Sequence, residues 1–148
     1  MELVVFVGLQ ASGKSTFFRE RFAETHQHVS KDLFPNNRNK NRMQEHLLRA
    51  ALAEGRCVVV DNTNPTLEDR RALIGPGGEY GARIVGYYFD ASARECIRRN
   101  KVREGTARVP DVAIYSTAKK LVAPSIEEGF DKLLCVRLNG STFEVCRR

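Results

Sequence analysis

The chain has 148 residues and an ordinary composition apart from the absence of Trp. That length suits one domain, residues 1–148, able to bury roughly two-thirds of its unfolded surface. A net charge of +6 at pH 7 favours an anionic partner, nucleotide or nucleic acid, and leaves the fold undecided. Cys57, Cys96, Cys135 and Cys146 form no C-x-x-C or Cys/His pattern, which argues against a metal or redox centre and for idle thiols in a reducing interior. No apolar run approaches the roughly 18 residues of a membrane span, and Met1-Glu2 opens no signal peptide. No membrane contact and a cytoplasmic location are therefore expected.

Leu3 to Val7 is an unbroken apolar run, as in a strand buried on both faces. Gly8-Leu9-Gln10-Ala11-Ser12-Gly13-Lys14-Ser15-Thr16 follows, spelling G-x-x-x-x-G-K-S-T, and a helix is expected over Ser15 to Glu24. His28-Val29-Ser30 reads as a short strand before Lys31-Asp32, and Asn36 to Asn41 as an exposed basic loop. Met43, Leu47, Ala50 and Ala51 mark a helix that Gly55 ends. Cys57 to Val60 is a second buried strand, and Asp61-Asn62-Thr63-Asn64-Pro65 turns away from it. Thr66 caps a helix beginning near Leu67, with Glu68 and Asp69 favourable in its first turn. Gly75-Pro76-Gly77-Gly78 predicts that this helix stops near Ile74 and gives way to a loop, since proline inside a helix costs about 3 kcal/mol.

Arg83 to Phe89 is the next strand, and Ser92 caps a helix through Asn100, with Asp90 as part of that cap. Arg103 to Val109 reads as a mobile loop, Asp111 as the cap of a helix to about Leu121, and Leu133 to Leu138 as a last buried strand. Phe143-Glu144-Val145 would add a short edge. Strands alternating with helices predict an α/β fold, a parallel sheet covered on both faces. Ligands in such sheets sit beyond the carboxyl ends of the strands. Gly8, Asp32 and Asp61 each lie just past a predicted strand, so all three are expected to meet at one edge.

The glycine loop between strand and helix reads as a cradle for a nucleoside triphosphate. Gly8 and Gly13 free the backbone so that successive N–H groups face one concavity, joined by the free N–H groups of the helix start. Gly8, Ala11, Ser12, Gly13, Lys14, Ser15 and Thr16 are the candidate nucleotide residues, with Lys14 on the β- and γ-phosphates and the Ser15 hydroxyl on Mg²⁺. Asp32 is either a base for an attacking hydroxyl or a turn-forming Asp bonded to its own backbone. Asp61 is either a metal partner acting with Ser15 or the start of a strand-end turn. The charged run Arg98 to Arg108 is either a lid over the triphosphate, centred on about 101–110, or a solvated face. Lys31, Arg38, Lys40 and Arg42 would hold an acceptor backbone or simply keep their loop soluble. His26, His28 and His46 show no ligand spacing and receive no role.

The D-N-T-N-P turn, His28-Val29-Ser30-Lys31-Asp32, Asn100 through Glu104, Val109-Pro110-Asp111 and Ala123-Pro124-Ser125-Ile126-Glu127-Glu128-Gly129-Phe130 together resemble the polynucleotide 5′-hydroxyl kinase domain of kinase–phosphatases that repair nucleic-acid ends. The resemblance covers nearly the whole chain. It implies an adenylate-kinase-like P-loop fold with five parallel strands and a short lid, and transfer of the γ-phosphate of ATP, with Mg²⁺, to a 5′-hydroxyl end of DNA or RNA. By motif, Asp32 matches the family's general base, Arg103 the lid arginine on the transferring phosphate, and Arg99 a neighbouring lid arginine. Asn62 and Thr63 occupy the turn that faces the acceptor in similar kinases.

Pro35 stands where the phage relative carries an arginine for the acceptor's 3′-phosphate, a position Arg38 would have to serve. The Gly75–Gly78 interruption departs from the continuous helix expected of the family. No D-x-D-G-T phosphatase motif occurs, so separate phosphatase and ligase proteins are expected. The other readings are a small-molecule kinase of the same fold and a nucleotide-dependent binding module that does no acceptor chemistry.

Overall fold

The structure is a computed structural model that describes residues 1–148. Its strands are β1 (Glu2–Val7), β2 (Gln27–Val29), β3 (Val58–Val60), β4 (Arg83–Phe89), β5 (Lys132–Asn139) and β6 (Thr142–Arg147). They form one sheet in the order β2-β3-β1-β4-β5-β6, the first five parallel and β6 antiparallel to β5. The helices are α1 (Lys14–Arg21), α2 (Lys40–Ala53), α3 (Leu67–Glu79), α4 (Ala93–Asn100) and α5 (Asp111–Lys120). The parallel sheet expected from strand–helix alternation is present, and the short carboxy-terminal edge is a full strand.

Alternation along β1 divides the core. Leu3, Val5 and Val7 join Leu48, Leu52, Val58, Val60 and Leu73 on the face covered by α2 and α3. Val4 and Phe6 point the other way, onto Phe17, Phe18 and Phe22. A smaller cluster of Leu9, Ala11, Cys96 and Ile114 seats α4 and α5 against the glycine loop. No helix is long and apolar enough to cross a membrane.

Helix α3 does not stop at Ile74; it continues through Gly75-Pro76-Gly77-Gly78 to Glu79. The reason is packing. A β-carbon on Gly77 would lie 2.8 Å from Leu3 Cδ2 and 3.1 Å from Ile84 Cδ1, so only glycine lets the helix lie this close to β1 and β4. Apolar burial against the sheet outweighs the helix-breaking propensity of the segment, and the continuous helix expected of the resembled family is present after all. Three smaller expectations also change. Helix α2 starts at Lys40, inside the expected loop, because the Asn39 side chain accepts from the Arg42 N–H and caps it. Asp111 is the first residue of α5, with Pro110 at the cap position. Asp90 leaves capping to Ser92 and instead pairs with Arg137 at 2.8 Å.

Candidate active site

The strand order sets β2, β3 and β1 side by side and parallel, so the segments leaving their carboxyl ends emerge along one edge. From β1 comes the glycine loop. Gly8 passes so close to β4 that a β-carbon there would sit 2.8 Å from Phe89 Cβ and 3.1 Å from its carbonyl oxygen. Ala11 and Gly13 both take positive φ, 63° and 99°, and the Phe143 ring packs beneath Gly13. A non-glycine residue held in the left-handed region marks stored strain, common in ligand-binding loops. Helix α1 then begins at Lys14 with no side-chain cap and no acidic residue in its first turn. Its free N–H groups and positive end are left for an anion.

Lys14 folds over this loop. Its Nζ donates to the Gly8 carbonyl at 3.0 Å and the Leu9 carbonyl at 2.6 Å, and lies 3.5 Å from Ser12 Oγ. Burial lowers its pKa to about 8; the negative charges of Asp61 and Asp32 oppose that shift, while the Arg103 charge adds to it. Lys14 thus senses Asp61, Asp32 and Arg103 together. Thr16 is exposed, its hydroxyl accepting from Arg19 Nη2.

From β3 comes the D-N-T-N-P turn, which ties the edge together. Asp61, only 4% exposed, accepts from Ser15 Oγ at 3.0 Å. Asn62 Oδ1 accepts from the Lys31 N–H at 2.9 Å, and its amide nitrogen donates to Gln44 Oε1 on α2. Thr63 gives its carbonyl to the Gly8 N–H at 3.0 Å. Asn64, at φ 43°, donates from Nδ2 to the Phe6 carbonyl at 2.8 Å. The Asn62 amide is therefore spent within the protein, whereas the Thr63 hydroxyl makes no hydrogen bond within the chain.

From β2 comes a single turn of 3-10 helix, Lys31–Leu33, capped by Ser30 Oγ, which accepts from the Asp32 N–H. Asp32 is exposed, and its carboxylate forms no ion pair or hydrogen bond with the chain. Arg38 is exposed in the following segment. On the other side of the loop, Asn100 is fully buried and closes the base of the segment 101–108. It accepts from the Val109 N–H at 3.0 Å and donates to the Val109 carbonyl. Arg103 donates to the Ala107 carbonyl within that segment. Arg99 lies 3.8 Å from Glu95, and its Nη1 is buried with no partner.

The edge thus brings together Lys14, Ser15, Asp61, Asn62 and the turn that carries Asp32, with the electrostatic reach of Arg103. Arg38, Arg99 and Thr16 make no hydrogen bond to that group. Three residues with no assigned role belong to the site. His28 bonds to Asp61, Gln44 anchors Asn62, and Asn100 pins the base of segment 101–108. Asn100 and Val109 entered the sequence reading only within two separate resembling stretches, with no bond between them expected; His28 depends on β2 lying beside β3, and Gln44 on α2 reaching the turn after β3.

The family model described as AAA domain matches residues 3–123. A bifunctional polynucleotide phosphatase/kinase of Schizosaccharomyces pombe is 31% identical over 134 residues, covering 87% of this chain and 32% of that protein. A second, from Acanthamoeba polyphaga mimivirus, is 30% identical over 139 residues, with 89% and 32% covered. The chain thus spans about a third of the length of the curated relatives it matches. Among solved structures, a sugar kinase from Janibacter sp. HTCC2649 superposes with a TM-score of 0.70 at 18% identity, over 93% of this chain and 85% of that one, a likeness of fold. With a P-loop built on this sheet and a family model matched over residues 3–123, the chain belongs to the AAA domain family of P-loop proteins.

Proposed function

We propose that this chain is an ATP- and Mg²⁺-dependent kinase that transfers the γ-phosphate of ATP to a 5′-hydroxyl end of DNA or RNA. The observation that carries the reading is the unpartnered Asp32 carboxylate, held on a turn that Asn62 bonds to the Asp61 segment, beside a complete phosphate loop. Phosphoryl transfer needs positioning and cations around spread negative charge more than covalent help from the protein. Residues Gly8 to Thr16 would cradle the triphosphate, with Lys14 leaving its two carbonyl partners for the β- and γ-phosphates. Ser15 and Asp61 offer hard oxygen donors, which fit Mg²⁺. When bound, that ion would supply charge neutralisation to the phosphates.

Asp32 would take the proton of the attacking hydroxyl. Arg103 would meet the transferring phosphate and Arg99 the nucleotide, the buried unpartnered Nη1 of Arg99 being a donor without an acceptor. Thr63, Arg38, Lys31, Lys40 and Arg42 would line the acceptor path, while Asn62 holds the Asp32 turn in place. The two curated relatives are named for a polynucleotide kinase and a phosphatase together, which supports a nucleic-acid acceptor and a phosphatase acting beside this domain. Four free thiols suit a reducing cytoplasm.

Pro35 in place of a phosphate-gripping arginine favours the second reading, a kinase of the same fold for a small hydroxyl compound. The deciding experiment offers radiolabelled ATP with 5′-hydroxyl DNA and RNA oligomers beside a panel of sugars, nucleosides and aminoglycosides. Label on an oligomer end is the expected result. Label only on a small molecule overturns the polynucleotide reading, and label on no hydroxyl points to a nucleotide-dependent binding module.

A further inference from the structure

His28 lies on β2, whose pairing with β3 sets it one residue short of the strand end and beside the start of the D-N-T-N-P turn. Its Nε2 is 2.9 Å from Asp61 Oδ2, the same oxygen that accepts from Ser15 Oγ at 3.0 Å. A carboxylate only accepts, so Nε2 carries the hydrogen. The ring is not free to turn: it stacks on Phe18 of α1 with centroids 3.9 Å apart and planes 15° from parallel. Phe18 is itself buried in the core beneath α1. The stack therefore fixes the ring, the ring fixes Oδ2, and Oδ2 takes the Ser15 hydroxyl hydrogen. Asp61 Oδ1 makes no hydrogen bond within the chain and stays available.

We infer that His28 is a positioning residue for the metal side of this site, acting through Asp61 on Ser15; the inference rests on the reading of Ser15 and Asp61 as magnesium partners. A serine that ligates a cation through its oxygen lone pair still needs an acceptor for its hydrogen. Asp61 provides one, and two donors converging on Oδ2 hold the carboxylate in the rotation that does so. Such outer partners commonly change metal affinity by about 10- to 100-fold when removed. The signal escapes a search for ligand spacing because His28 touches no metal itself. It reaches the site only through the neighbouring strand.

Two substitutions separate the hydrogen bond from the stack. His28→Phe keeps the ring against Phe18 and removes the donor; His28→Gln keeps a donor and removes the ring. Calorimetric titration with ATP, once with Mg²⁺ and once with EDTA, reads the metal linkage without any acceptor or turnover. Thermal unfolding of both variants reports their folding. The expected result is that His28→Phe loses on the order of tenfold of the Mg²⁺-dependent gain in ATP affinity, that its affinity in EDTA matches the wild type, and that His28→Gln retains most of the gain. An unchanged ratio in His28→Phe, or an equal loss in EDTA, overturns the inference. A wild-type chain whose ATP affinity ignores Mg²⁺ overturns it too, by removing the metal partner. Full metal linkage with no phosphate on any oligonucleotide sinks the polynucleotide reading alone and leaves the role of His28 standing.

Discussion

Burial gives Lys14 a pH dependence of its own. Its ordinary pKa of 10.5 falls to about 8 in the folded chain, chiefly through burial. Between those values the unfolded chain holds a proton that the folded chain has released, so stability rises with pH across the window. Below about pH 8 the buried charge costs stability, and that cost fades toward 10.5. Binding runs the other way, because only the ammonium counters phosphate charge. ATP affinity is therefore expected to fall as pH climbs from 7 to 9.5. In Lys14→Met it is expected to be weak and flat over the same range, a comparison that calorimetry at a series of pH values makes directly. A wild-type profile as flat as the variant's would detach Lys14 from the phosphates.

Helix α3 shows what an element owes to its neighbours. Its start was legible: Thr66 caps it as expected, and Asp69, expected only as a favourable first-turn acid, also completes a capping box. Its end was not, because the reason for continuing past Ile74 lies in Leu3 and Ile84, on two strands that meet Gly77 only in three dimensions. Gly75 and Gly78 have nothing within 4 Å of where a β-carbon would go. Gly78→Ala should therefore raise stability by about 0.5–1 kcal/mol, as alanine does in helices. Gly77→Ala should lower it by about 1–3 kcal/mol, the usual cost of overpacking. Denaturant midpoints distinguish the two, and equal shifts would contradict the packing account. The same logic explains His28. Ligand spacing along the chain is silent about it, since its link to Asp61 comes from β2 lying beside β3. Strand β1 was readable as an apolar run because it is covered on both faces.

Across the whole molecule, two motifs distant in sequence are tied together behind the candidate site. Arg70 on α3 is fully buried and bonds to both carboxylate oxygens of Glu128, at 2.7 and 3.1 Å, and to the Asn64 carbonyl at 3.0 Å. Glu128 belongs to the Ala123–Phe130 stretch, so that stretch supports the D-N-T-N-P turn. Arg70→Met leaves a carboxylate without its partner and is expected to cost about 3–5 kcal/mol in chemical unfolding. Replacing Glu128 by leucine as well should recover part of the loss. The net charge of +6 acts on the same scale. Affinity for a 5′-hydroxyl oligonucleotide is expected to fall steeply with salt. Neutralising Arg38 or Lys40 should reduce the log–log slope by about 0.7 each, the single-strand value per phosphate contact. The proposal as a whole turns on Asp32, and the most direct test replaces it by asparagine. Transfer of the γ-phosphate to a 5′-hydroxyl oligomer should drop at least about 100-fold, while ATP binds as tightly as before. Transfer at the wild-type rate would contradict the account.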